Sequence, residues 1–246
     1  LWSSSSFAHL AIFKMNKFAR SAQGLLTTSK ATHSESCLPR PLVRDISHFF
    51  RPRDDVPREW LSGPIDDDFV DRFLNANLTN DECRYIGFRE QTHRPELIRR
   101  TVLEVSGTIL ACQLALKYGI AANVAGGTHH ATPTSGAGYT ILNDLAVVAH
   151  VLTSTCDSQR VLVIDCDVHQ GDGTARFSQA GSMLHNKLFT LSLHCASNFP
   201  HPKAQSTFDV GLADGMRDDE YMEILCKSVN HALETLDPDF VLYDAG

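Results

Sequence analysis

Val161-Leu-Val-Ile-Asp-Cys-Asp-Val-His-Gln-Gly-Asp-Gly173 runs an apolar strand straight into a cluster of carboxylates, one imidazole and two glycines. Alternate side chains of an extended chain share a face, so Asp165, Asp167 and His169 emerge together at the carboxyl end of the strand. Open α/β sheets place their ligands at such strand ends. One Asp oxygen and one imidazole nitrogen two residues apart suit zinc, which takes nitrogen and oxygen donors at about 2.0 to 2.2 Å and needs at least one further protein ligand. A polar strand cap is the competing reading, because Asp, Gly and His also begin loops. Cys166 points to the opposite face and reads as sheet packing rather than as a ligand.

A second cluster lies upstream. Ala125-Gly-Gly-Thr-His-His-Ala131 follows the apolar stretch Gly119-Ile-Ala-Ala-Asn-Val124. A single histidine is usually a hydrogen-bonded structural residue. Two adjacent ones behind a Gly-Gly turn point to proton transfer, for which imidazole has the right pKa.

Around these clusters the periodicity predicts an α/β fold. Phe69, Val70, Phe73 and Leu74 make a helical stripe over 66–74 behind acidic residues. Pro95 starts and Gly119 stops a helix over 95–118, with Leu97, Thr101, Val105 and Thr108 on one face. Further helices are expected at 142–153 and 220–236, and apolar strands at 120–124, 161–165, 188–193 and 239–243. This alternation is that of a parallel sheet flanked by helices on both faces. No internal repeat is visible.

Taken together, the segments 126–131, Ser135-Gly-Ala-Gly-Tyr-Thr-Ile-Leu-Asn-Asp144, 163–173, Thr190-Leu-Ser-Leu-His194, Asn198-Phe-Pro200 and Asp218-Asp-Glu-Tyr221 resemble the zinc-dependent histone deacetylases. The likeness is to the branch holding class IV and bacterial-type acetyl-lysine and acetylpolyamine amidohydrolases, and it covers roughly residues 64–246. It implies an arginase/deacetylase-like sheet. It implies zinc on Asp167 and His169, a catalytic histidine pair at His129 and His130, and Asp165 and Asp172 as the carboxylate partners of that pair. In such enzymes zinc polarises the acetyl carbonyl and acidifies a water that the histidine pair helps to deprotonate, and the leaving lysine amine takes a proton from a histidine. Gly138, Tyr139 and Phe199 fall where relatives line an acyl-lysine tunnel, with Tyr139 standing where Phe is usual. Asp165, Asp167, His169 and the backbone carbonyls of Ser192 and Leu193 match a site for a monovalent cation, K+ in relatives.

The resemblance also implies departures. The family's third zinc ligand comes from a Gly-x-Asp step, and its oxyanion-stabilising tyrosine from a later glycine-rich loop. Both would lie beyond Gly246, so the catalytic domain expected over 58–246 is partial and the chain itself inactive or a poor catalyst. Asp244 matches a position that is not a ligand. Two other classes stay open: a catalytically silent isoform or fragment binding acetylated partners, and an arginase-like ureohydrolase. The second is disfavoured, because Gly171 stands where its second metal needs an Asp.

Residues 1–57 read as a leader and linker. The first 34 residues contain no Asp or Glu and are rich in Ser, Thr and Ala, and from Met15 onward they have the composition of an organellar transit peptide. An in-frame spliced or untranslated leader fits equally. Arg51-Pro-Arg-Asp-Asp-Val-Pro57 is a linker. Ala8 to Phe13 is too short to span a membrane. With 246 residues and 43% hydrophobic content, the chain can bury one core. A formal charge of -7 argues against direct nucleic-acid binding and slightly favours basic substrates. Histone tails, other acetylated proteins and acetylpolyamines therefore remain open as substrates. Seven cysteines with no CxxC pair fit a reducing compartment. The resemblance makes this the nucleus or cytoplasm, and the leader keeps a plastid or mitochondrion open.

Overall fold

The computed structural model describes residues 49–246. The transit-peptide-like segment 15–34 lies outside the described residues. The linker before Arg58 has no regular structure. Along the chain follow α1 (Arg58–Ser62), α2 (Asp67–Leu74), α3 (Asn80–Ile86), a 3-10 turn (Arg89–His93), α4 (Pro95–Tyr118), α5 (Asp144–Thr155), β1 (Val161–Asp165), α6 (Asp172–Ser178), β2 (Leu188–Cys195), β3 (Phe208–Leu212), α7 (Asp218–Leu236) and β4 (Phe240–Asp244). The four strands form one parallel sheet in the order β3-β2-β1-β4. Its register sets Asp165 level with Ser192 on one side and Asp244 on the other.

Helices cover both faces, as the alternation requires. Val161 and Val163 on β1, Leu188 on β2 and Leu242 on β4 pack with Phe69, Val70 and Phe73 of α2, Val105 and Ile109 of α4, and Leu145 and Leu152 of α5. Leu162, Ile164, Leu191 and Leu193 face the other way, onto Ala232 and the half-buried Ile224, Leu225 and Val229 of α7. Every residue of β1 is buried, the condition of a central parallel strand. Cys166 belongs to the second core, on the face opposite Asp165, and the six described cysteines are all free. None of the described helices is long and apolar enough to cross a membrane.

Local chemistry fixes the helix ends. Asp66 caps α2 by accepting from Phe69 N at 2.9 Å, and Pro95 opens α4. The helix expected at 142–153 begins at Asp144, because the Asn143 side chain accepts from Ala146 N at 2.9 Å and caps it there. That expected at 220–236 starts two residues earlier, with Asp218 and Asp219 added to its acidic first turn.

The strand expected at 120–124 is absent. Asn123 draws this segment into a loop: its amide donates to Glu104 O at 3.2 Å and Thr108 Oγ1 at 2.9 Å, and its own oxygen accepts from Ala125 N at 3.1 Å. Such local side-chain bonds compete with a strand ladder, and Ile120 is left 76% exposed. The fourth strand is instead β3, whose short Phe-Asp-Val-Gly-Leu run carries little apolar signal.

Candidate active site

β1 delivers Asp165 to the sheet's carboxyl end, the following loop carries Asp167 and His169, and α6 opens with Asp172. The 125–131 loop lies across this end. His129 Nδ1 donates to Asp165 Oδ2 at 2.7 Å, and His130 Nδ1 donates to Asp172 Oδ1 at 2.8 Å. All four groups are buried, and the two imidazole rings lie 4.2 Å apart. A carboxylate oxygen accepts, so each Nδ1 holds a proton, and a ring that is neutral leaves its Nε2 free as acceptor. The structure thus brings His129 together with Asp165 and His130 with Asp172.

What holds the loop was not apparent from the sequence. Asp144, fully buried at the start of α5, accepts from Gly127 N at 3.1 Å, Thr128 N at 2.8 Å, Thr128 Oγ1 at 2.6 Å and Thr108 Oγ1 at 2.5 Å. Beside it Asn143 donates to Ala131 O at 2.9 Å and Thr174 Oγ1 at 3.0 Å. One dipeptide therefore grips the histidine loop from both ends.

At two points of the 161–173 motif a side chain would meet a close neighbour, backbone at 173 and a carboxylate at 171. A Cβ on Gly173 would stand 2.3 Å from Ala131 O, and one on Gly171 would stand 2.2 Å from Asp165 Oδ2. An Asp at 171, which the ureohydrolase reading needs, would collide with the carboxylate that holds His129.

The two imidazoles are driven apart electrostatically. Burial opposes charge on His129, but the Asp165 charge and hydrogen bond, with Asp244 and Asp167 behind them, outweigh it and raise its pKa to about 9. For His130 burial dominates, reinforced by the neighbouring histidines, and its pKa falls below the usual value despite Asp172. One ring is therefore held charged and the other neutral near pH 7. A histidine whose folded pKa lies above the unfolded value of about 6.5 adds stability that is complete below that pH and is lost as pH rises through the folded value. The chelator-treated chain is expected to melt at progressively lower temperature between pH 7 and 9, and Asp165→Asn to flatten that slope. Thermal melts across this range check it, and identical slopes would contradict the assignment.

Asp167 Oδ1 and His169 Nδ1 lie 3.0 Å apart, and both side chains are partly exposed. Two ligand atoms at tetrahedral angles on a zinc bond length of 2.0 to 2.2 Å sit about 3.4 Å apart, so the donors fit one ion with little adjustment. Asp167 Oδ1 is also 3.9 Å from His129 Nε2, which brings the pair of donors against the histidine pair.

A different trio, His129, Asp165 and Asp244, is the three-donor group whose atoms lie within 4.8 Å of one another among the described residues. It is the less suited group, because the His129 Nδ1–Asp165 Oδ2 hydrogen bond is buried and at 2.7 Å shorter than the 3.0 Å, partly exposed contact of His169 with Asp167. Asp244 ends β4 buried beside that bond, its Oδ2 unpartnered and 3.8 Å from His129 Nδ1. Burial, then the charge of Asp165, pushes its carboxyl up to about 7.

Of the expected tunnel residues, Gly138 abuts the His130 ring, where a Cβ would stand 2.5 Å from Cδ2. Phe199 sets its ring 5.0 Å from that of His130 and 6.1 Å from that of His169. Tyr139 takes a left-handed backbone (φ 63°), donates its N–H to Ile86 O at 2.8 Å and rests its ring edge-on against Phe88 at 5.5 Å. Ser192 lies level with Asp165 and pairs through Oγ with His194 Nδ1 at 3.0 Å, while Leu193 is buried in the second core.

These features have counterparts in known proteins. The histone deacetylase domain matches residues 44–246. An uncharacterized protein of Picosynechococcus sp. is 43% identical over 189 residues, covering 77% of this chain and 61% of the relative. Histone deacetylase 2 of Arabidopsis thaliana is 32% identical over 146 residues, covering 58% of this chain and 37% of the relative. Among solved structures, an HDAC homolog from Aquifex aeolicus superposes with a TM-score of 0.66 at 24% identity, over 81% of this chain and 57% of its own, a likeness of fold. The chain thus spans about a third to three-fifths of the length of these proteins. A domain match over most of the chain, with the paired histidines and their carboxylates brought together inside it, makes this chain a member of the histone deacetylase family.

Proposed function

We propose that this site hydrolyses the acetyl amide of acetyl-lysine, in histones or other proteins, with acetylpolyamine as a small-molecule form of the same amide. The observation that carries the reading is the adjacent pair of His–Asp couples, of which one is held charged and the other neutral. Asp167 and His169 would hold zinc, which when bound polarises a carbonyl and acidifies a water.

The chain's own residues do the rest. His130, neutral and with Nε2 unprotonated, takes the proton from the attacking water. His129, kept protonated by Asp165, faces the developing negative charge. As the C–N bond breaks, the amine leaves with a proton from the histidine pair, giving acetate and free lysine. Phe199, beside both His130 and His169, suits the methylene stem of the side chain.

Among the described residues Asp167 and His169 are the proposed zinc donors, and zinc needs at least one ligand more. A fusion that continues past Gly246 with the corresponding part of the Picosynechococcus relative provides the comparison, and is called the extended chain below. It is expected to release acetate from an acetylated histone peptide and to form no urea from arginine. No acetate from the zinc-loaded extended chain would overturn the reading in favour of a silent acetyl-lysine binder, and urea would overturn it in favour of a ureohydrolase.

A further inference from the structure

Gln170 follows His169 directly, yet its side chain is turned away from the histidines and completely buried. Its Nε2 donates to Asp209 Oδ1 at 2.7 Å and Ala204 O at 2.9 Å, and its Oε1 accepts from Ala204 N at 2.8 Å. Because the amide nitrogen faces a carboxylate, the orientation of this amide is fixed by its partners. Asp209, on β3, closes the set by accepting from Ser206 N through its second oxygen at 2.8 Å.

These bonds tie the loop between β2 and β3, residues 196–207, to the loop that carries His169. That first loop also bears Phe199. Within it, Lys203 Nζ donates to Pro200 O at 3.1 Å and to Asn198 O, and Phe199 N donates to Asn198 Oδ1 at 2.8 Å. Phe199 itself is 44% exposed, so its own packing holds it weakly over His130 and His169. The loop's bonds to the buried Gln170 side chain offer a firmer hold.

We propose that Gln170 is a positioning residue for deacetylation, fixing through Ala204 and Asp209 the loop that places Phe199 over the histidine pair. The proposal rests on the deacetylase reading for its link to substrate, but the anchoring itself does not. Truncating the amide takes one donor from the Asp209 carboxylate, which is exposed and keeps Ser206 N, and removes both bonds of the Ala204 backbone to Gln170, which favours release of the loop. Binding of the acyl stem should then suffer more than the chemical step, since Gln170 touches neither the histidines' carboxylates nor the zinc donors' side chains.

The test is Gln170→Leu, read by amide hydrogen exchange in the 246-residue chain and by kinetics in the extended chain. Exchange across 196–207 is expected to quicken about tenfold while β1 and α6 hold their protection. KM for an acetyl-lysine peptide is expected to rise about tenfold with kcat falling far less. Unchanged exchange in the loop, equal loosening of β1 and α6, or a loss confined to kcat would each overturn the proposal. Should Gln170→Leu fail to fold, Asp209→Ala removes the same anchor from the loop side and carries the same expectations. If the unmodified extended chain releases no acetate, the deacetylase reading fails on its own, and the exchange experiment still decides whether Gln170 anchors the loop.

Discussion

Replacing His169 with alanine is expected to remove zinc and acetate release from the extended chain together. His169 Nδ1 and Asp167 Oδ1 are adjacent donors at 3.0 Å, and a lone carboxylate does not hold zinc at protein concentrations. Turnover should fall by at least about 10³-fold, several kcal/mol of lost carbonyl polarisation and water acidification. The fold should survive, because the His169 side chain is partly exposed and contributes to neither core. Metal analysis, acetate release and circular dichroism of the same preparation separate these effects. Zinc retained in His169→Ala would remove this residue from the metal site and leave the His129, Asp165 and Asp244 trio as the alternative donors.

His130→Ala should act differently, leaving zinc in place and cutting turnover by about 10²-fold or more, the scale of a lost general base. The reasoning is positional as well as electrostatic. His130 Nδ1 is committed to Asp172, its ring lies against Phe199 and His169, and burial keeps it neutral near pH 7. On the proposed reading that is the arrangement of a general base. If zinc were lost with His130, the residue would be a ligand and the division of labour within the pair would be wrong. A fall of less than tenfold with zinc intact would instead point to His129 as the base.

The residues gathered at the candidate site were legible because they stand in short, rigid stretches. Alternation along β1 sets Asp165 and Cys166 on opposite faces, and the structure has Cys166 in the second core. The α2 stripe was equally plain, since Phe69, Val70 and Phe73 are each fully buried. Five elements went unread, among them the short α1 and the 3-10 turn. The helix α3 carries a complete capping box, with Thr79 and Glu82 bonded to each other's backbone N–H, and Thr-Asn-Asp-Glu was there to be recognised. The short α6 begins inside the motif whose glycines drew attention to loops, and β3 is too polar to stand out.

Long-range partners were beyond the sequence for a physical reason. Asp144 lies 16 residues from Thr128 and 36 from Thr108, and Gln170 lies 39 from Asp209. No local periodicity encodes such pairings, which exist only once the sheet has formed. The false strand at 120–124 has the same origin: its apolar residues fit a ladder, but Asn123 finds nearer partners on α4.

The central claim is that Asp167 and His169 are zinc donors set against a histidine pair, and the zinc content of the purified 246-residue and extended chains, by mass spectrometry of metals, tests it most directly. The expected result is close to one zinc per extended chain, abolished by His169→Ala. Zinc near one per chain in both forms, indifferent to His169→Ala, would contradict the account and assign the metal to other residues.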